Sequence, residues 1–193
     1  GQPDFPVPEV MREAAANAVR ENRSGYSVTQ GIPELHAAIW KHLEKDVGWK
    51  GPTQDLGNIV TSGTSGGLLL SLMAVLDAGD EFIAPDPYFV MYPQIAKMIG
   101  AQCTLCDTYP DFRMTAERVE PLITPRTKAV LVNSPSNPCG TVMSGAEMRD
   151  LVDLCERRGV LLISDEIYDE FCFPDAREDG HCPSPARYTD QCL

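Results

Sequence analysis

Cations are scarce in this chain of 193 residues: 16 Lys and Arg stand against 28 Asp and Glu, a net charge of −12. A protein that neutralises nucleic-acid phosphates needs a basic face, and this composition supplies little from which to build one. Long apolar runs are also missing. The longest, residues 68–76, is nine residues long and includes Ser71, against roughly 20 needed to span a bilayer. The amino terminus reads Gly-Gln-Pro-Asp, without the basic and apolar regions of a secretory signal. Neither nucleic acid nor membrane is expected as a partner.

Repeats, low-complexity tracts and a disulfide framework are absent too. The cysteines, at 103, 106, 139, 155, 172, 182 and 192, are odd in number and irregularly spaced, which reads as free thiols in a reducing compartment, the cytoplasm by default. Cys103 and Cys106 form a CxxC in an apolar stretch with strand character. Residues three apart on a strand point to opposite faces, so a metal or redox role is not expected. The three histidines, 36, 42 and 181, are scattered, and no metal site is expected.

The segments that are present alternate between helical and strand patterns. Helices are expected over residues 10–22, 33–47, 68–76, 90–99, 116–122 and 145–158, and strands over 58–61, 81–84, 102–106, 129–133 and 160–163. Apolar strands separated by helices imply an α/β fold: a parallel-dominated mixed sheet with helices on both faces. Residues 174–191, rich in Pro, Asp and Arg, read as an irregular connection. No further element closes before Leu193, and the chain is expected to be incomplete.

Ligands of open α/β sheets gather at the carboxyl ends of the strands, and three stretches there carry chemistry. Thr61-Ser62-Gly63-Thr64-Ser65-Gly66-Gly67 places backbone N–H groups and hydroxyls at a helix amino terminus, which suits a phosphate or, equally, close helix packing. Asn133-Ser134-Pro135-Ser136-Asn137-Pro138-Cys139-Gly140 is a rigid polar turn that serves recognition or structure. Ser164-Asp165-Glu166-Ile167-Tyr168 follows an apolar strand, so the Asp165 carboxylate must be paired, neutralised or used as a helix cap; a cationic ligand nitrogen would satisfy it. Glu166, its neighbour, is expected to face a different partner.

In this order, with Gly1-Gln2-Pro3-Asp4-Phe5, Tyr26, Gly31-Ile32-Pro33-Glu34-Leu35 and Pro87-Tyr88-Phe89, these stretches resemble the fold-type I pyridoxal-phosphate enzymes. Within them the chain resembles the amino-terminal half of the class I/II aminotransferases, which are aspartate aminotransferase-like. The resemblance implies pyridoxal 5'-phosphate as cofactor and an amino acid and a 2-oxo acid as substrates. Asp165 matches the partner of the protonated pyridine nitrogen, and Asn137 and Tyr168 match the donors to the ring hydroxylate. Phe89 matches the aromatic that stacks on the ring; aspartate aminotransferases usually carry Trp there, which weakens an aspartate-specific assignment. Gly63, Thr64 and Ser65 match the phosphate loop. Tyr26 matches a tyrosine that reaches the phosphate of a neighbouring subunit, which implies a homodimer. Gly1 matches a glycine near the substrate carboxylate, where Phe89 and Asn137 also belong.

The resemblance further divides the chain into residues 1–25, part of a small domain or arm, and 26–193, the first part of the large cofactor-binding domain. It puts the Schiff-base lysine some thirty residues beyond Asp165; 28 residues follow here and none is Lys. That lysine and the carboxylate-binding arginine are expected beyond Leu193, and the 193-residue chain is expected to be inactive alone. Another fold-type I activity stays open, a carbon-sulfur β-lyase or an aminocyclopropane-carboxylate synthase relative, as does a cofactor-sensing domain without catalysis. The Asn137–Pro138 bond is expected to be cis.

Overall fold

The computed structural model describes residues 4–193. Four strands form one parallel sheet: β1 (Glu81–Asp86), β2 (Gln102–Asp107), β3 (Thr127–Asn133) and β4 (Leu161–Asp165), in the order β2-β1-β3-β4. Around them lie α1 (Glu9–Arg20), α2 (Pro33–Asp46), α3 (Gly63–Val75), α4 (Met91–Ile99), α5 (Ala116–Val119) and α6 (Gly145–Arg158). Short 3-10 turns at Asp169–Phe171, Pro174–Ala176 and Pro185–Arg187 punctuate the irregular carboxyl-terminal segment.

The sheet is covered on both faces, as its unbroken apolar strands require. On one face Ile83, Val130, Val132 and Leu162 pack against Val119 of α5 and the inward stripe of α6. That stripe, Met148, Leu151, Val152 and Cys155, follows the 3.6-residue helical period. On the other face Phe82, Ala84, Ala129, Leu131 and Ile163 meet Leu68 and Leu72 of α3 and Tyr92, Ile95 and Ala96 of α4. Alternate residues of each strand thus serve alternate cores, which is the two-residue period of β structure. Cys103 packs with the second core and Cys106 lies in the first, so the CxxC is split across the sheet as expected. Burial pushes the two thiols up to about 12 and about 11, and no cluster able to hold a metal is found among the described residues.

Helix ends are set by local chemistry. A capping box starts α6, with Ser144 and Glu147 satisfying each other's backbone N–H groups, and left-handed Gly159 ends it. The expected strand at residues 58–61 does not form. Val60 N donates to Gln30 O, but among the described residues no strand pairs with the segment, and Ile59 is exposed. A β-branched run makes a strand only where an edge is available to pair with it. By contrast α3 starts at Gly63, five residues earlier than expected, so the small-residue stretch is the first turn of the helix itself. Among the described residues no helix is long and apolar enough to cross a membrane.

Candidate functional site

The strand order makes the site. The chain runs from β1 outward to β2, then crosses to the opposite side of β1 to form β3, and the carboxyl ends of β1 and β3 diverge at that switch. A cavity of about 210 Å³ opens there, and its walls come from four separate segments.

The first wall is the start of α3. Gly63 has φ +68, a left-handed conformation that disfavours any side chain, and Thr61 Oγ1 donates to its carbonyl at 2.8 Å. No side chain caps this helix, and its first turn carries no acidic residue. The N–H groups of the first turn lack intrahelical acceptors by construction, and here they sit beside the hydroxyls of Ser62, Thr64 and Ser65 on the cavity wall. The result is an uncapped positive dipole end suited to an anion.

The second wall is Phe89, three residues beyond β1, whose ring meets Tyr92 edge-on at 5.7 Å and 77°. The third is the turn after β3. Asn133 pairs in register with Asp165 of β4; its amide Nδ2 donates to Asp165 O at 2.8 Å, while its Oδ1 accepts from Asn137 N at 2.7 Å. One side chain therefore ties two strand ends together and holds Asn137 on the cavity wall. The Asn137–Pro138 bond is cis, as expected.

Asp165, only 5% exposed at the end of β4, forms the fourth wall with Ile167 and Tyr168. Its Oδ2 accepts from Tyr92 OH at 2.9 Å and its Oδ1 from Ile167 N at a long 3.4 Å. Among the described residues no cation pairs with it, and burial lifts its carboxyl above the usual range, partly offset by the Tyr92 and Ile167 bonds. Burial, then the adjacent carboxylate, also raises the Tyr92 phenol, so it stays a donor. Glu166 turns away, as expected, and accepts from Ser164 Oγ and Ser184 Oγ, both at 2.7 Å.

Of the residues singled out in the sequence, Gly63, Thr64, Ser65, Phe89, Asn137, Asp165 and Tyr168 meet at this cavity. Tyr26 does not; it is fully exposed between α1 and α2. Gly1 lies outside the described residues. Tyr92 and Asn133 were not assigned roles by sequence reasoning. Tyr92 falls on the inward stripe of α4 and reads there as core, whereas Asn133, the polar residue that ends an apolar strand, carried a signal of its own. Among the described residues no lysine lines the cavity, and Lys128, the last in the chain, lies near the other end of the sheet, 4.0 Å from Asp80. A wider depression of about 810 Å³ beside α2, between Trp40 and Trp49, contains none of these strand-end residues.

Against known proteins, residues 1–189 match the family "Aminotransferase class I and II". The chain belongs to that family. It is 36% identical to the "Probable aspartate/prephenate aminotransferase" of Aquifex aeolicus, over 99% of this chain and 48% of that protein. It is likewise 36% identical to the "Aspartate aminotransferase" of Geobacillus stearothermophilus, over 92% of this chain and 45% of that protein. A solved aspartate aminotransferase of Thermus thermophilus superposes with TM-score 0.90 at 36% identity, covering all of this chain and 52% of that one. The chain thus spans about half the length of the class I and II aminotransferases it matches, and within that half it has their fold, a parallel sheet with helices on both faces.

Proposed function

We propose that this chain is the cofactor-cradling part of a pyridoxal-5'-phosphate-dependent aminotransferase, which moves an amino group between an L-amino acid and a 2-oxo acid. One observation carries the reading: Asp165 is a buried carboxylate that no cation among the described residues pairs with, and it shares a small cavity with an uncapped helix amino terminus. A ligand with a cationic nitrogen at one end and a phosphate at the other satisfies both.

In this reading the first turn of α3 with Thr64 and Ser65 would hold the phosphate, Phe89 would stack on the ring, and Asp165 would pair with the ring nitrogen. Asn137 and Tyr168 would donate to the ring oxygen. When bound, the protonated pyridine ring supplies an electron sink for the substrate α-carbon. The chain's own residues keep the ring charged, orient it and shield it from water. Phe89 and Asn137 border the substrate. The covalent lysine comes from outside residues 1–193, in keeping with the lack of any lysine on the cavity wall. Tyr26, exposed and not on the wall of its own cavity, serves the phosphate of a second copy in a homodimer. Residues 1–25 form an arm distinct from 26–193, a division supported by α1, which buries none of its residues. Seven unpaired thiols favour a reducing cytoplasm.

The test is titration with pyridoxine 5'-phosphate, which lacks the aldehyde and so needs no lysine. Saturable binding, weakened by Asp165→Ala and by Thr64→Val, is expected; equal binding by the parent and both variants would overturn the reading. In the complete enzyme, product formation should require a 2-oxo acid acceptor. Ammonia and pyruvate released without one would replace transamination by β-elimination.

A further inference from the structure

Phe89 and Asp165 come from opposite sides of the cavity, after β1 and at the end of β4, yet both touch the same side chain. Tyr92 is wholly buried on the inward stripe of α4, gives its hydroxyl hydrogen to Asp165 Oδ2 at 2.9 Å, and receives the Phe89 ring edge-on at 5.7 Å. Leu68 and Leu72 of α3 lie in the same apolar cluster, so Tyr92 is packed between the phosphate-facing helix and the sheet.

We propose that Tyr92 is a positioning residue that keeps the Asp165 carboxylate charged and turned toward the cavity, and that sets the plane of Phe89 through the same ring. This rests on the cofactor reading above and deepens it. With Oδ2 occupied by the phenol, the second oxygen is left for a ligand N–H; it accepts a long bond from Ile167 N at 3.4 Å. A single buried donor to an anion is worth more than one in water, because nothing else can replace it. The other titratable groups about the pair are Tyr168, on the turn after β4, and Glu166, whose carboxylate is turned to Ser164 and Ser184. Among the described residues no Lys, Arg or His lines the cavity to stand in for the phenol.

Tyr92→Phe removes the hydrogen bond and keeps the ring. Carbon-13 titration of the aspartate side chains, with Asp165 identified by the signal that Asp165→Asn deletes, follows the carboxyl without any ligand. The Asp165 midpoint should rise by about one pH unit in Tyr92→Phe, the equivalent of a tenfold loss of anion stabilisation; an unmoved midpoint would overturn the proposal. Pyridoxine 5'-phosphate should bind about tenfold more weakly to Tyr92→Phe, while its 1-deaza analogue, with C–H in place of the ring nitrogen, should bind parent and variant alike. Equal weakening of both ligands would assign Tyr92 a merely structural role. If instead the parent chain itself binds the two ligands equally, the cofactor reading falls while the carbon-13 result on Tyr92 still stands. If Tyr92→Phe loses its fold, the substitution is repeated in Asp165→Asn: a fold kept there supports a role exerted through the charge, and a fold lost in both backgrounds overturns it.

Discussion

Glu81 opens β1 and Asp165 closes β4, and the two carboxylates are buried to similar extents, 2% and 5% exposed. Their surroundings differ completely. Glu81 accepts from Thr124 Oγ1 at 2.7 Å and from Arg126 Nε at 2.8 Å, and these bonds hold its carboxyl below the usual range despite burial. Asp165 has one phenol and a long backbone contact, and burial drives it the other way. At the amino-terminal end of the sheet the charge is answered within the chain and serves the fold. At the carboxyl-terminal end it is left for something else to answer, at a cost in stability that a structural role alone would not justify.

The sharpest test of that contrast is Asp165→Ala in the complete enzyme, where turnover should fall by at least about 100-fold while the cofactor still enters. Steady-state kinetics with saturating cofactor reads it, and near-normal activity would remove Asp165 from the machinery. Stability should respond in the opposite sense at the two ends. Glu81→Ala should cost about 1–2 kcal/mol in urea unfolding at neutral pH, a modest figure because Arg126 is largely solvent-exposed and its charge is screened. Glu81 has a lowered folded-state pKa, so its contribution is present above the ordinary carboxylate range and is lost as pH falls through the lowered value. The acid limb of the stability profile should accordingly flatten in Glu81→Ala.

Asp165→Asn should instead stabilise the unliganded chain, by about 1 kcal/mol at neutral pH. Its folded-state pKa is raised, so the cost of the ionised form is present above that pKa and disappears on acidification, where variant and parent should converge. Equal loss of stability in Asp165→Asn and Glu81→Ala would erase the distinction between the two ends. The smallest effect is expected at Lys128, paired loosely with Asp80: Lys128→Ala should shift unfolding by less than about 0.5 kcal/mol and leave pyridoxine phosphate binding unchanged.

The same two ends explain what could be read from the sequence. Val130, Leu131 and Val132 announce a strand buried on both faces, and Asp165 directly after Ile163 and Ser164 announces a carboxylate at its end. Both follow from local pattern. Residues 58–61 have the composition of a strand but lack an edge to pair with, a matter of tertiary context that no local pattern contains. Tyr92 was hidden for a similar reason: a tyrosine on the apolar stripe of a helix reads as core, and only the juxtaposition of α4 with the end of β4 gives its hydroxyl a partner 73 residues away. The small residues before Leu68 were legible as an anion-binding turn, but Gly63, Gly66 and Gly67, poor helix formers, concealed that the stretch is already helical.

The walls of the cavity are contributed by residues 62–65, 89, 133, 137, 165, 167 and 168, dispersed over more than half of the chain, and they come together only when β3 and β4 are in register. Such a site has no local precursor. Its formation has to wait for the long-range closures that are slow in parallel sheets, so a pyridoxine phosphate signal during refolding should emerge with the last phase of sheet assembly and not with helix formation. The ligand pocket is therefore a clock for folding: its appearance marks the moment at which the two halves of the sheet have found each other.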